Sequence, residues 1–250
     1  MPLEAPLDPP AKRATELNRR FAHHAAAEVL AHALHDPEMG NAALVSSFGG
    51  EAIVLLHMLS VVDRTTPVLF VDTEMLFPET LEYQREVARH LRLTDIRVIR
   101  PDREPVFRND PESNLHRRNP DTCCHLRKTE PLQGALAGFD TWMTGRKRYH
   151  GGRRAALDFF EADNGTRIKV NPLAHWSTSD VQDYIANNRL PRHPLVAKGF
   201  PSIGCLPCTT RVAPGEDLRA GRWRGRGKDE CGIHFVEGRM DRKTPGRGLA

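Results

Sequence analysis

Residues 42–59 read AALVSSFGGEAIVLLHML, and the parsing of this stretch decides the fold. Residues 42–48 are a short apolar run stopped by glycine, the pattern of a buried strand. Gly49 and Gly50 make a turn, and the apolar segment that follows through Leu59 reads as a helix. The same alternation recurs outward. Strands are predicted at 67–73 (PVLFVDT), 95–101 (DIRVIRP), 141–146 (TWMTGR) and 167–173 (RIKVNPL). Helices are predicted at 78–91, with Pro78 in the first turn, and at 179–188, behind a capping box formed by Ser177 and Asp180. Upstream, Leu17, Phe21, Ala25, Val29 and Ala33 recur at helical spacing, which predicts one amphipathic helix over 15–34. Alternation of this kind implies an α/β fold with a doubly wound, mainly parallel sheet. Such sheets bind ligands beyond the carboxyl ends of their strands, where SSFGGE (46–51), VDTEMLFPET (71–80) and TGRKR (144–148) fall.

The chain has 250 residues, of which 39% are hydrophobic, enough for one large core. We divide it into an N-terminal helical segment (1–40), a nucleotide-binding α/β domain (41–210) and an Arg/Gly-rich tail (211–250) read as mobile. The opening MPLEAPLDPPAKRATELNRR lacks a charged start followed by an apolar stretch, so it does not read as a secretory signal. No apolar run reaches membrane-span length, and 51–62 is interrupted by His57. The expected location is the cytoplasm, with no membrane partner. A net charge of +4 permits a polyanionic partner but equally describes a solvated surface.

In a reducing compartment the five cysteines call for metal binding or catalysis rather than disulfides. Cys205 and Cys208 form CLPC, a chelating spacing, and Cys123 and Cys124 are adjacent in TCCHLRKTEPL (122–132). Four such thiolates suit either Zn²⁺ or an iron-sulfur cluster. Side chains of adjacent residues diverge, so a cluster with separate iron corners suits the vicinal pair better than one tetrahedral ion. Cys231 stands apart in DECGIHF, beside His234 and downstream of Arg219, Arg222, Arg224 and Arg226. Cations lower a thiol's pKa and raise its thiolate fraction, which marks Cys231 as a candidate nucleophile. SSFGGE offers backbone N–H groups at a helix start, an anion cradle in outline, although a strand-to-helix turn also needs glycine for geometry alone. Arg127, Lys128, Arg146, Lys147 and Arg148 read equally as surface cations or as anion contacts.

CCHLRKTEPL, TGRKR, VNPLAHW, GFPSIGCLPC, GEDLRAGRW and ECGIH, in this order, resemble the assimilatory adenosine 5′-phosphosulfate reductases of the wider phosphoadenylyl-sulfate and adenylyl-sulfate reductase family. The resemblance runs from about Ser46 to His234. It implies a core of the adenine nucleotide alpha hydrolase-like type and one four-iron four-sulfur (4Fe-4S) cluster on Cys123, Cys124, Cys205 and Cys208. Cys231 becomes the nucleophile that takes the sulfonate from adenosine 5′-phosphosulfate, with Lys128 and His234 as catalytic contacts. Ser46, Phe48, Gly49, Val71, Asp72, Thr73, Arg146, Arg219 and Arg222 become the substrate-binding set. Thioredoxin, or glutaredoxin, would then release sulfite, in a pathway leading to cysteine. A homo-oligomer is left open.

Three other readings compete. The 3′-phosphorylated substrate is the nearest. A cluster-containing, tRNA-thiolating ATP pyrophosphatase requires an SGGxDS loop, and SSFGGE lacks its closing Asp-Ser. A zinc-stabilised nucleic-acid-binding module leaves ECGIH and the vicinal cysteines unexplained, so no nucleic-acid partner is expected.

Overall fold

The computed structural model describes residues 7–226 and Lys228. A six-stranded sheet is built from β1 (Ala42–Val45), β2 (Val68–Val71), β3 (Ile96–Ile99), β4 (Thr141–Met143), β5 (Phe160–Asp163) and β6 (Arg167–Val170) in the order β3-β2-β1-β4-β6-β5. All neighbours are parallel except β5, which runs antiparallel to β6. The doubly wound, mainly parallel sheet is therefore as expected. The chain order reverses between β2 and β4 on either side of β1, and this switch point is where such a sheet opens a crevice.

Chain order gives the helices as α1 (Pro10–Phe21), α2 (Ala26–His35), α3 (Ala52–Val62), α4 (Pro78–His90) and α5 (Arg103–Asn109). There follow α6 (Leu115–Arg118), α7 (Pro120–Cys124), α8 (Glu130–Ala135), α9 (Thr178–Asn187) and α10 (Pro194–Ala197). Alternate strand residues feed two cores. Leu44, Val68, Phe70, Met143 and Ile168 face α2, α3, α4 and α9, while Ala43, Leu69 and Trp142 face Leu132 of α8 and Leu136. With both faces covered, the strands need only be apolar, and they read as runs rather than alternations. Among the described residues no helix is long and apolar enough to cross a membrane.

Three expectations change. The strands predicted at 42–48, 67–73 and 141–146 end at Val45, Val71 and Met143. The residues trimmed from each become loops at the carboxyl edge. At Ser46 the hydroxyl accepts the Phe48 N–H at 3.2 Å, a local bond that competes with the sheet ladder. Second, β5 has no counterpart in the predicted strands. Its signal was Asn164–Gly165, both at positive φ (50° and 68°), the dipeptide that turns tight hairpins. Asp163 anchors this hairpin by accepting Trp142 Nε1–H at 2.9 Å and Arg167 Nε–H at 3.0 Å.

Third, the single helix predicted over 15–34 breaks into α1 and α2, because the two halves serve different surfaces. Asn18 of α1 exchanges two hydrogen bonds with the Phe160 backbone (2.8 and 2.9 Å), so α1 covers the open edge at β5. α2 instead packs on α3. Glu28 accepts the Ala25 N–H at 2.8 Å to start the second helix.

Candidate active site

The loops after β1, β2 and β4 border one cleft of about 210 Å³, with Ser46, Ser47, Gly49, Gly50, Val71, Thr144 and Gly145 on its wall. Phe48 takes a positive φ of 48° to turn the chain inward, and its ring stacks edge-on against Phe70 (5.3 Å) in the core. The turn therefore exposes backbone and small side chains to the cleft while one aromatic ring pins it below. Basic side chains gather beyond β4, where Arg146, Lys147, His150 and Arg154 line the cleft, and Arg219 and Arg222 come in from the C-terminal segment.

One buried carboxylate organises the side beyond β4. Glu51 accepts hydrogen bonds from Lys147 Nζ (2.9 Å), Tyr149 Oη (2.6 Å) and His150 Nε2 (3.1 Å). Burial alone would raise the Glu51 pKa, but His150, Lys147 and Tyr149 together hold it well below the usual carboxylate range. His150 in turn meets Arg154, with Nδ1 and Nη1 3.0 Å apart. Glu51, Tyr149, His150 and Arg154 escaped the sequence reading. TGRKRYH places all three donors to Glu51 in one segment, but nothing short of the fold pairs that segment with a glutamate about a hundred positions earlier.

The predicted substrate set is brought together in part. Ser46, Gly49, Val71, Arg146, Arg219 and Arg222 line the cleft. Arg146 is held by Asn171 Oδ1 at 3.1 Å and by an ion pair with Glu161. Three residues of the set have side chains that meet other partners. The Phe48 ring is fully buried, so any contact from this position is through backbone. Asp72 accepts the Glu74 N–H and pairs with Arg100 at 3.2 Å instead of lining the cleft. Thr73 lines the neighbouring cysteine cavity, with Oγ1 3.2 Å from Cys205 Sγ.

That second cavity is bordered by Cys123, Cys124, Cys205 and Cys208, and none of the four is in a disulfide. α7 carries the vicinal pair and runs straight into a π-helical turn, His125–Thr129, before α8. Pro131 explains the widened turn: it lacks an N–H, and its ring would strike the Arg127 carbonyl of a regular helix. Lys128 lies within this π-helical turn. It lines both the cysteine cavity and the main cleft, as do Arg222 and Trp223, so these three side chains form the wall between them. Arg222 donates to the Ile203 carbonyl at 3.1 Å and lies over the Trp223 ring at 4.4 Å. A side chain at Gly204 would displace its guanidinium.

Among the described residues no group of three or more His, Cys, Asp or Glu side chains is gathered as for one metal ion. The four sulfurs border a shared cavity instead, and the adjacent Cys123 and Cys124 differ in burial as successive helix positions must. Burial pushes the Cys123 thiol up to about 11 and raises that of Cys208 as well. Cations are arranged to favour negative charge here: Arg226 Nη1 lies 3.6 Å from Cys208 Sγ, and Arg127 is buried beneath Thr73. The donor set therefore fits a group with several soft, positive corners that would keep the thiolates ionised.

Arg127 depends on Asp110. Asp110 is completely buried and accepts both Arg127 Nη2–H (3.0 Å) and the Leu115 N–H (2.8 Å). Removing one partner of such a pair leaves an uncompensated buried charge, so Asp110→Ala should lower the unfolding free energy by about 3–5 kcal/mol. Urea denaturation checks this, and a loss below about 1 kcal/mol would show that water reaches Arg127.

The tail read as mobile from 211 is docked through 226. Thr209 bridges to Arg222, the Trp223 N–H donates to the Cys208 carbonyl at 3.0 Å, and Trp223 is buried. Gly221 has no room for a side chain against the Thr210 carbonyl. An Arg-rich segment looks solvated in sequence because nothing in it announces that Trp223 and Gly221 face a partner surface. Cys231 and His234 lie outside the described residues.

This arrangement has counterparts. A protein of Mesorhizobium japonicum named adenosine 5′-phosphosulfate reductase is 48% identical over 90% of this chain and 88% of its own length. One of the same name from Chelativorans is 45% identical over 94% of each. The crystal structure of a phosphoadenylyl-sulfate reductase from Candida auris, in a phosphate complex, superposes with a TM-score of 0.69 at 28% identity, covering 83% of this chain and 99% of that one. The profile of the phosphoadenosine phosphosulfate reductase domain matches residues 41–211, from the residue before β1 to three residues past Cys208. With that match over most of its length, and with relatives at this identity, the chain belongs to the phosphoadenosine phosphosulfate reductase domain family.

Proposed function

We propose that the protein reduces adenosine 5′-phosphosulfate to sulfite and AMP in sulfate assimilation, through a covalent intermediate on Cys231. The observation that carries this reading is the common wall: Lys128 and Arg222 face both the nucleotide-sized cleft and the four-cysteine cavity. In the first step the Cys231 thiolate attacks the substrate sulfur, the bond from sulfur to the bridging phosphate oxygen breaks, and AMP leaves with the electron pair. The enzyme is left as S-sulfocysteine. A thiolate of reduced thioredoxin or glutaredoxin then attacks Cys231 Sγ and expels sulfite, and the second thiol of the reductant resolves the mixed disulfide, restoring Cys231. The dithiol supplies both electrons.

The chain's cations make the first step feasible. A thiolate approaching an anionic phosphosulfate is repelled, and preorganised positive groups offset the charge that grows on the leaving phosphate. Arg146, Arg219 and Arg222 are placed for this on the cleft wall, and Lys128 approaches from the cysteine side. His234 completes the set by its position in ECGIH. Cys123, Cys124, Cys205 and Cys208 would hold a 4Fe-4S cluster, which when bound ties α7 to the 205–208 loop and adds a local field beside Lys128.

Lys128→Ala should lower kcat about a hundredfold, the scale of losing one preorganised charge contact, with much less effect on AMP binding. Equal losses in both would make Lys128 a general anion contact. The function itself is tested by anaerobic assay of the purified protein with reduced thioredoxin and each of the two phosphosulfates, measuring sulfite and AMP. Stoichiometric sulfite and AMP from the form without a 3′-phosphate supports the reading; turnover of only the 3′-phosphorylated form would reassign the substrate.

A further inference from the structure

Thr80, the third residue of α4, lines the cleft yet is only 1% exposed. Its surroundings are apolar. Leu76 lies one turn earlier on the same wall, and Ile203 packs with Phe77 and Leu195 in the cluster alongside. Arg146, Lys147, His150 and Arg154 belong to the loop after β4, on the far side of β1. Thr80 therefore sits where an apolar ring would lie, rather than where the phosphosulfate meets those cations.

The polarity of this hydroxyl is set from behind. Thr80 Oγ1 is 3.1 Å from His193 Nε2. His193 is buried and caps α10, with Nδ1 accepting the Leu195 N–H at 3.2 Å, so Nδ1 carries no proton. Burial pushes the His193 pKa down to about 4, against the opposing pull of Glu79, and the ring is neutral at pH 7. A neutral imidazole without a proton on Nδ1 holds it on Nε2 and must donate to Thr80 Oγ1. A flipped ring would present carbon to both the Leu195 N–H and Thr80 Oγ1, losing the two hydrogen bonds, and Tyr83 packs against the ring at 4.7 Å. Thr80 Oγ1 thus accepts from His193, and among the described residues its own hydrogen meets no acceptor. An unmatched hydroxyl hydrogen on a buried residue that lines a cleft is a donor prepared for a ligand.

We infer that Thr80 Oγ1 donates a hydrogen bond to an acceptor ring nitrogen of the bound purine, and that His193 is the positioning residue that makes it a donor. This rests on the nucleotide reading of the cleft given above. It makes Thr80 a determinant of base recognition separate from the phosphate contacts.

The test is a calorimetric titration of the purified protein with AMP and with its 1-deaza, 3-deaza and 7-deaza analogues, each of which replaces one acceptor nitrogen by C–H. One analogue should bind about tenfold more weakly than AMP, the scale of one lost hydrogen bond to a buried group. On Thr80→Val that ratio should fall to about one, because the donor is gone, and on Thr80→Ser it should return. His193→Ala should shrink the same ratio, which a purely structural role would leave unchanged. If all three analogues bind the parent protein as AMP does, or if the ratio survives in Thr80→Val, the inference is wrong. Should Thr80→Val fail to fold, Thr80→Ala, which also lacks the hydroxyl, takes its place, and survival of the ratio in it overturns the inference. A parent protein that binds no AMP at all is a distinct result, and it overturns the nucleotide reading itself.

Discussion

Cys231→Ser is expected to make no sulfite while still binding AMP and keeping every residue that borders the cysteine cavity. A serine hydroxyl is barely ionised at neutral pH and is a far weaker nucleophile than a thiolate, so the covalent step is lost outright rather than slowed. The four other cysteines cannot substitute. Cys123, Cys124, Cys205 and Cys208 border the second cavity, where the proposed cluster would engage their sulfurs. Intact-protein mass after addition of phosphosulfate without thioredoxin reads the step directly. The parent should gain one sulfonate, removable by reduced thioredoxin, and Cys231→Ser should gain none. An adduct on the variant, or one mapping to another cysteine, would refute the proposed mechanism.

Cys205→Ser should abolish the brown colour and the bound iron expected of anaerobically purified parent protein, about four irons and four sulfides per chain for a cubane. Cys205 is the most consequential of the four for the fold around it. Its backbone bridges to Leu76, its carbonyl accepts the Thr209 hydroxyl at 2.9 Å, and its sulfur meets Thr73, so it fastens the 205–208 loop to the segment after β2. Losing a shared metal group on this loop should also lower thermal stability, since binding such a group is coupled to folding. Iron and sulfide analysis with visible spectroscopy decides the outcome. Stoichiometric zinc in the parent without visible absorption, or full colour in the variant, would remove the cluster assignment.

Much of this was legible in residues 42–59 and their repeats, because a glycine-stopped apolar run followed by a longer one has few packing solutions. The order of motifs carried the family, and CLPC with the vicinal pair carried the expectation of chelation. What failed to show was long-range. Glu51 looks like the last letter of a turn until Lys147, Tyr149 and His150 converge on it. Phe48 looks like part of a binding loop until its ring is found against Phe70. Thr80 and His193 are 113 positions apart, and neither has a local reason to be noticed.

Residue type and spacing by themselves determined the class of fold and the likeness to a reductase family, and they supplied the expectation that the cysteines divide into four and one. These depend on local preferences and short-range chelating geometry, which neighbours in sequence already contain. Only the tertiary structure decided that Lys128 and Arg222 form one wall between two cavities, that Thr73 serves the cysteines instead of the cleft, and that 211–226 is docked. Each is a contact between segments brought together by the β-α crossovers. Which buried group meets which is set by the closure of the whole core around them, a condition that no single segment contains.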